Sequence, residues 1–238
     1  MCSVLSVVKS YYQPGERRSQ EVRSLFSAIA PRYDLINDLQ SFGLHRRWKR
    51  QLLDLAAPTK GERALDICCG TGDIAAGMAQ HGAMVCGLDF APEMLSIAAG
   101  KWRGPLWVQG DAQQIPLRDE SFDMVTVGYG LRNLANWRCG VSEMRRVAKR
   151  GGRLLILDFG KPRNQVWRSI YFAYLRCVVP MHGRLFCGNP AAYAYILESL
   201  KDYPAQEGVA AELQKVGCSD VRTINLLGGV MNIHFARA

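Results

Sequence analysis

Asp66, Gly70, Gly72, Asp73 and Asp89 follow one another as the end of an apolar run, a tight turn, the start of a helix and the end of the next apolar run. That order suits a nucleoside. Glycine has no Cβ, so Gly70 and Gly72 let a ligand lie against the backbone, while the helix that follows offers unpaired N–H groups. Asp89 comes 17 residues after Gly72, where a carboxylate accepts both hydroxyl protons of a ribose. The run Gly70-Thr71-Gly72-Asp73-Ile74-Ala75 also satisfies G-x-G-x-x-A, so a dinucleotide remains a competing reading. Asp66 before the turn and Asp73 at the helix start argue against it. A pyrophosphate needs N–H donors there, whereas anions suit the ammonium and sulfonium groups of S-adenosylmethionine. In the plainer reading, Asp73 compensates the helix dipole and Asp66 caps a turn.

These residues need a parallel sheet to carry them. Apolar runs end in loops at Asp66, Asp89, Pro105 to Asp111, Phe122 to Gly130 and Arg153 to Phe159, with helical patterns at Ile74 to Ala79, Pro92 to Ala99 and Val141 to Lys149. Strand and helix alternate, and in such sheets ligands bind outside the carboxyl ends of the strands. Asp111, the stretch Tyr129 to Asn133, and Asp158 to Lys161 belong to those ends. Val221 to Leu227 and Val230 to Ala236, either side of Gly228-Gly229, read as a closing hairpin. Helical patterns at Glu21 to Ala30 and Arg46 to Leu55 precede the sheet, and a third at Asn164 to Val179 stops ahead of Pro180.

Composition bounds the partners. The chain has 238 residues, enough for a full enzyme core, and 30 Lys and Arg against 21 Asp and Glu give +9, which draws anions. Arg17, Arg18, Arg46, Arg47, Lys49 and Arg50 would face anionic headgroups or form a solvated face. They make no continuous tract and no aromatic stacking motif accompanies them, so nucleic acid is not expected. The eight cysteines, from Cys2 to Cys218, lack paired zinc-ligand spacing, which argues for reduced thiols, a cytoplasmic setting and no metal. Met1 to Lys9 lacks the basic start of a secretory signal, and no apolar run approaches the roughly 18 to 20 residues of a membrane span. Membrane contact, if any, is peripheral.

From Tyr33 to Trp48 (Tyr33-Asp34-Leu35-Ile36-Asn37-Asp38-Leu39-Gln40-Ser41-Phe42-Gly43-Leu44-His45-Arg46-Arg47-Trp48) the chain resembles the signature of the UbiE/MenG methyltransferases of menaquinone, ubiquinone and phylloquinone synthesis. Only Ile36 departs, where Met is usual. The similarity continues through Leu65 to Asp73, Tyr129-Gly130-Leu131-Arg132-Asn133 and Arg146 to Gly160. Ala148, Arg150, Asp158 and Gly160 depart from the second signature.

The resemblance implies an α/β fold of the class I S-adenosylmethionine-dependent methyltransferases: a Rossmann-like, mostly parallel seven-stranded sheet with an antiparallel last strand. Residues 1–60 would form an N-terminal helical lid and 61–238 the methyltransferase domain, with a helical insertion at about 163–200. Besides Asp66, Gly70 and Gly72, cofactor contacts map onto Thr71, Asp89, Asp111 and Ala112, and onto Gly128, where the usual Ser side chain is missing. The acceptor would be a prenylated naphthoquinol, a ubiquinone precursor or another small phenol, and the enzyme a monomer or homodimer.

Carbon of a hydroquinone becomes a competent nucleophile when the neighbouring phenol ionises, which at pH 7 costs roughly 4 kcal/mol for a pKa near 10. One cation about 4 Å away at an effective dielectric near 20 offsets about that much. Arg132 is the candidate cation, and its alternative is an anchor to Asp158. Asn133 would orient a water or the acceptor oxygen, and Tyr33 with Asp34 would complete a proton path or pack the lid. His45 titrates in the right range but sits where it can cap or pack. Trp167, Ile170, Tyr171, Tyr174, Leu175 and Val178, spaced three and four apart, would line an isoprenoid channel or belong to the core.

Overall fold

The computed structural model describes residues 16–187, 197, 199–200 and 203–238. Met1 to Lys9, with Cys2, lies outside them, as does most of the expected insertion beyond Cys187. A single sheet dominates: β1 (Arg63–Ile67), β2 (Met84–Asp89), β3 (Leu106–Gln109), β4 (Phe122–Gly128), β5 (Ala148–Phe159), β6 (Ser219–Leu226) and β7 (Met231–Arg237) run in the order β3-β2-β1-β4-β5-β7-β6. Strands β1 to β5 are parallel, and β7 is antiparallel to both β5 and β6. The order reverses at β1 and β4, the crevice where such sheets bind ligands.

Helices cover both faces: α1 (Glu16–Ile29), α2 (Tyr33–Ser41) and α3 (Leu44–Ala56) before the sheet, then α4 (Asp73–Gln80), α5 (Pro92–Lys101), α6 (Trp137–Val147), α7 (Gln165–Cys187) and α8 (Ala205–Lys215). Most carry an apolar stripe, while α4 is buried at five consecutive positions from Ile74 to Met78. On α3, His45, Trp48, Leu52 and Ala56 are buried at spacings of three and four, and the last three join the main core, so this helix is seated on the sheet. On α6, Asn136 caps the start by accepting from the N–H groups of Arg138 and Cys139.

Three boundaries differ from the sequence reading. Helix α6 ends at Val147 and β5 begins at once at Ala148, because the pairing of β4 with β5 starts at Phe122 and Ala148 and then shifts register before Met124 and Arg153. The extra residues around Gly151 and Gly152 are taken up by that bulge. Helix α7 runs through Pro180 to Cys187, where the missing proline N–H removes one helical hydrogen bond without ending the helix. Tyr33–Ser41, read only as a motif, is a helix with Phe42 left-handed at its end (φ 51°).

Candidate active site

The carboxyl ends of β1, β2, β3 and β4 open into a cleft roofed by Val22, Arg23 and Phe26 of α1 and by Tyr33. Gly70, Asp89, Asp111, Ala112, Gly128 and Asn133 line it. Asp89 Oδ2 accepts the Gly70 N–H at 2.8 Å and Oδ1 the Ala91 N–H at 2.9 Å, which leaves each oxygen further lone-pair capacity toward the cleft. Burial raises the pKa of this carboxyl, and the backbone N–H groups of Ala91, Gly70 and Phe90 oppose that shift. Asp111 Oδ1 is held by the Gln113 N–H at 2.8 Å. At Gly128 the wall is bare backbone, and a Cβ there would have to displace the tip of the Ile74 side chain. Asn133 donates to the Tyr129 carbonyl at 3.2 Å, and its buried Oδ1 has no partner among the described residues.

Asp66, Thr71 and Gly72 do not line the cleft; they build its floor. Buried Asp66 accepts from Thr126 Oγ1 at 2.7 Å and from the Ala75 N–H at 3.2 Å, and desolvation pushes its pKa up to about 7. Thr71 Oγ1 donates to Asp34 at 2.7 Å. Gly72, at φ +82°, lies so close under Trp107 that no side chain fits. Asp73 pairs with Lys49 at 2.7 Å and with Lys101 at 3.1 Å, and Lys101 reaches Asp34 at 2.7 Å. The start of α4 is therefore closed by the chain's own carboxylates. A dinucleotide pyrophosphate finds no site there, for a different reason than bare repulsion by Asp73, whose charge is balanced by two lysines. The residues that remain open to the cleft, two carboxylates and an amide oxygen over bare glycine backbone, fit the hydroxyls and amino groups of S-adenosylmethionine.

A second cavity, of about 280 Å³, lies across Tyr33 and Tyr129, which line both spaces. Its walls are apolar: Ile36, Trp48, Phe159 and Val230 among others, with Trp167, Ile170, Tyr171, Tyr174 and Leu175 of α7. Five of the six residues in the α7 stripe thus face the cavity, with Val179 there in place of Val178, while Tyr171 and Leu175 also belong to the core. Phe42, Ile170 and Leu227 line it while remaining 76%, 54% and 51% exposed, so it opens to the surface through an apolar rim.

Arg132 lines this second cavity, and its expected anchor is also present. Its guanidinium reaches Asp158 at 2.7 Å and the Tyr129 carbonyl at 2.6 Å, with Phe159 stacked 4.4 Å away. Asp158 does not line the cavity, so the positive end of the pair faces inward. Asn133 faces the other space, the cleft. Asp34 lines neither and ties the N-terminal helices to Thr71 and Lys101. His45 lines the second cavity, 2.8 Å from Ser41 Oγ, with its pKa brought down to about 4 chiefly by burial. It is neutral at pH 7 and a poor base there.

Phe90 and Arg23 escaped the sequence reading as lining residues, and Tyr129 was placed at a ligand-binding strand end without a role of its own. Phe90 stands beside Asp89 and its ring carries Arg23 at 5.4 Å, a long-range contact with no local signal. Tyr129 did have one, its place directly after Gly128 at a strand end.

A sheet of this order with an acid-lined cleft at its topological switch defines an S-adenosylmethionine-dependent methyltransferase. Solved structures share the fold: a SAM-dependent methyltransferase from Thermotoga maritima (TM-score 0.64, 18% identity, 91% of this chain and 99% of that one), and Haemonchus contortus phosphoethanolamine N-methyltransferase 2 in complex with S-adenosyl-L-methionine (TM-score 0.59, 16% identity, 80% and 52%). Residues 15–238 match the ubiE/COQ5 methyltransferase family, and the chain belongs to it. A demethylmenaquinone methyltransferase of Mycobacterium sp. (strain KMS) is 39% identical over 93% of this chain and 95% of its own length. A ubiquinone/menaquinone biosynthesis C-methyltransferase of Rubrivivax gelatinosus is 39% identical over 94% and 90%.

Proposed function

We propose that this enzyme methylates a ring carbon of a prenylated naphthoquinol, of the demethylmenaquinol or demethylphylloquinol type. The carrying observation is the pair of adjoining spaces, one acid-lined and one apolar, that share Tyr33 and Tyr129. Several similar relatives bear the name demethylmenaquinone methyltransferase, which supports the acceptor. When bound, S-adenosylmethionine supplies an electrophilic methyl group on a sulfonium.

The chain's residues do the remaining work. Asp89 receives ribose hydroxyls, Asp111 and the Ala112 backbone hold the adenine edge, and Gly128 lets the donor pass close to the sheet. Arg132 presents oriented N–H donors to the acceptor oxygen. Because Asp158 cancels its net charge, that help is a directed dipole rather than a full cation, smaller than the roughly 4 kcal/mol of an isolated ion. Asp34 keeps Tyr33 over the boundary through Thr71 and Lys101. With His45 neutral, the rate rests on alignment in a dry pocket and on stabilising the anion.

The tail leaves by the rim of Phe42, Ile170 and Leu227, which also rests on a membrane surface, with exposed Arg46 and Arg47 nearby in sequence. No described helix is long and apolar enough to cross a membrane. The Rubrivivax relative's name favours a ubiquinone precursor as a second acceptor. Incubation with methyl-labelled donor and a panel of reduced quinols, with and without tails, tests the reading: label enters tailed naphthoquinols preferentially, and label confined to tailless phenols contradicts it.

A further inference from the structure

Tyr129 is held in a conformation that ordinary packing does not call for. Its φ of +63° is left-handed, a region that bulky side chains rarely occupy. Three hydrogen bonds keep it there: its N–H donates to the Leu157 carbonyl at 2.7 Å, while its own carbonyl accepts from Arg132 at 2.6 Å and from Asn133 at 3.2 Å. Arg132 and Asn133 thus aim the residue that precedes them.

The ring meets Phe159 edge-on, with centroids 6.0 Å apart, a contact phenylalanine makes equally well. The hydroxyl therefore serves something else. It is buried and has no hydrogen-bond partner among the described residues, a state that is costly unless a ligand completes it. Tyr171 and Tyr203 also carry buried hydroxyls of this kind, but Tyr171 lines only the apolar cavity and Tyr203 lines neither space. Burial, together with the nearby Tyr33 phenol and Asp158 carboxylate, pushes the Tyr129 phenol well above the ordinary tyrosine range. It remains a donor at every pH at which the protein works.

We propose that the Tyr129 hydroxyl donates a hydrogen bond to the ring oxygen of the phenolic acceptor at the boundary between the two spaces, and so favours that oxygen's ionised form. The assignment rests on the proposed quinol acceptor. Tyr129 keeps its own proton throughout, and Arg132 and Asn133 position it through its carbonyl.

Tyr129→Phe tests this, with Tyr203→Phe as the control for losing a buried hydroxyl outside both spaces. A hydrogen bond to an ionised partner predicts a 10- to 100-fold fall in kcat, about, for Tyr129→Phe, with the Kd for S-adenosylmethionine unchanged. The lower limb of the kcat–pH profile moves up by about one unit or more. Tyr203→Phe keeps native kcat. A second readout needs no turnover: 2-methyl-1-naphthol, already methylated at the acceptor carbon, changes absorbance when it ionises. Bound to the native enzyme it ionises at least about one pH unit lower than bound to Tyr129→Phe. Native turnover by Tyr129→Phe, equal ionisation of the naphthol in both proteins, or no perturbation of it by the native enzyme overturns the assignment. If the native enzyme methylates no quinol, the proposed function fails by itself, and the naphthol titration still decides the role of Tyr129.

Discussion

The two spaces that meet at Tyr33 and Tyr129 are built by opposite means. In the cleft, short side chains at strand ends are held by backbone N–H groups: Asp89 by Gly70 and Ala91, Asp111 by Gln113, and below them Asp66 by Ala75. In the apolar cavity, large rings and branched chains from α2, α3, α7 and the start of β7 leave room rather than fill it. Free volume is about 90 Å³ in the first and about 280 Å³ in the second. A polar ligand with a fixed hydrogen-bond pattern rewards the first design, and a flexible apolar ligand the second.

Removing the clamp between the two regions should have the largest effect. Arg132→Ala leaves Asp158 buried without its cation, a loss of about 3–5 kcal/mol. At 2–4 °C per kcal/mol that lowers Tm by roughly 10 °C. Turnover falls by about 100-fold or more, while affinity for S-adenosylmethionine, measured by calorimetry below the lowered Tm, changes little. Equal losses in both would merge the two regions into one site.

The floor of the cleft should reveal itself through pH. With the folded pKa of Asp66 at about 7, above the ordinary 3.8, the folded state holds its proton more tightly than the unfolded state. The group's stabilising contribution is thus complete below about pH 4 and is lost as pH rises to about 7, a change of roughly 4 kcal/mol. Thermal unfolding of Asp66→Asn across pH 4–8 should lack this part of the slope, and an unaltered slope would assign it elsewhere.

Smaller effects belong to the latch and the rim. Asp34→Ala strands the buried Thr71 hydroxyl and should cost about 1–3 kcal/mol in chemical denaturation, with a raised KM for both substrates because Tyr33 is no longer tied down. Phe42→Ser with Ile170→Ser should raise KM about tenfold for a long-tailed acceptor presented in vesicles. It should leave a tailless acceptor unaffected; equal effects on both would remove the tail from the rim.

The contrast also governs what the chain revealed as a string. Asp89 and Asp111 were legible because each ends an apolar run, and a parallel sheet gathers such ends along one edge; Gly128 was legible only through the family resemblance. Asp66, Thr71 and Gly72 were legible as a motif, but not as floor rather than lining, because that depends on Thr126 meeting Asp66 from β4 and on Trp102 and Trp107 arriving from beyond β2 over Thr71 and Gly72. The apolar cavity was half visible. The α7 stripe has the same spacing whether it faces a core or a void, and only Ile36, Trp48 and Val230, distant in sequence, decide between them. Arg132 was visible both as a candidate cation and as a partner of Asp158; the fold forms the pair and turns the guanidinium toward the apolar cavity.

A crystal structure of the enzyme with S-adenosylhomocysteine and a short-tailed demethylmenaquinol tests the division of labour most directly. The adenosyl group is expected against Asp89 and Asp111, the sulfur facing Tyr33 and Tyr129, and the quinol ring beyond them with its tail toward Phe42 and Ile170. A quinol seated in the acid-lined cleft, or a tail lying outside the apolar cavity, contradicts it.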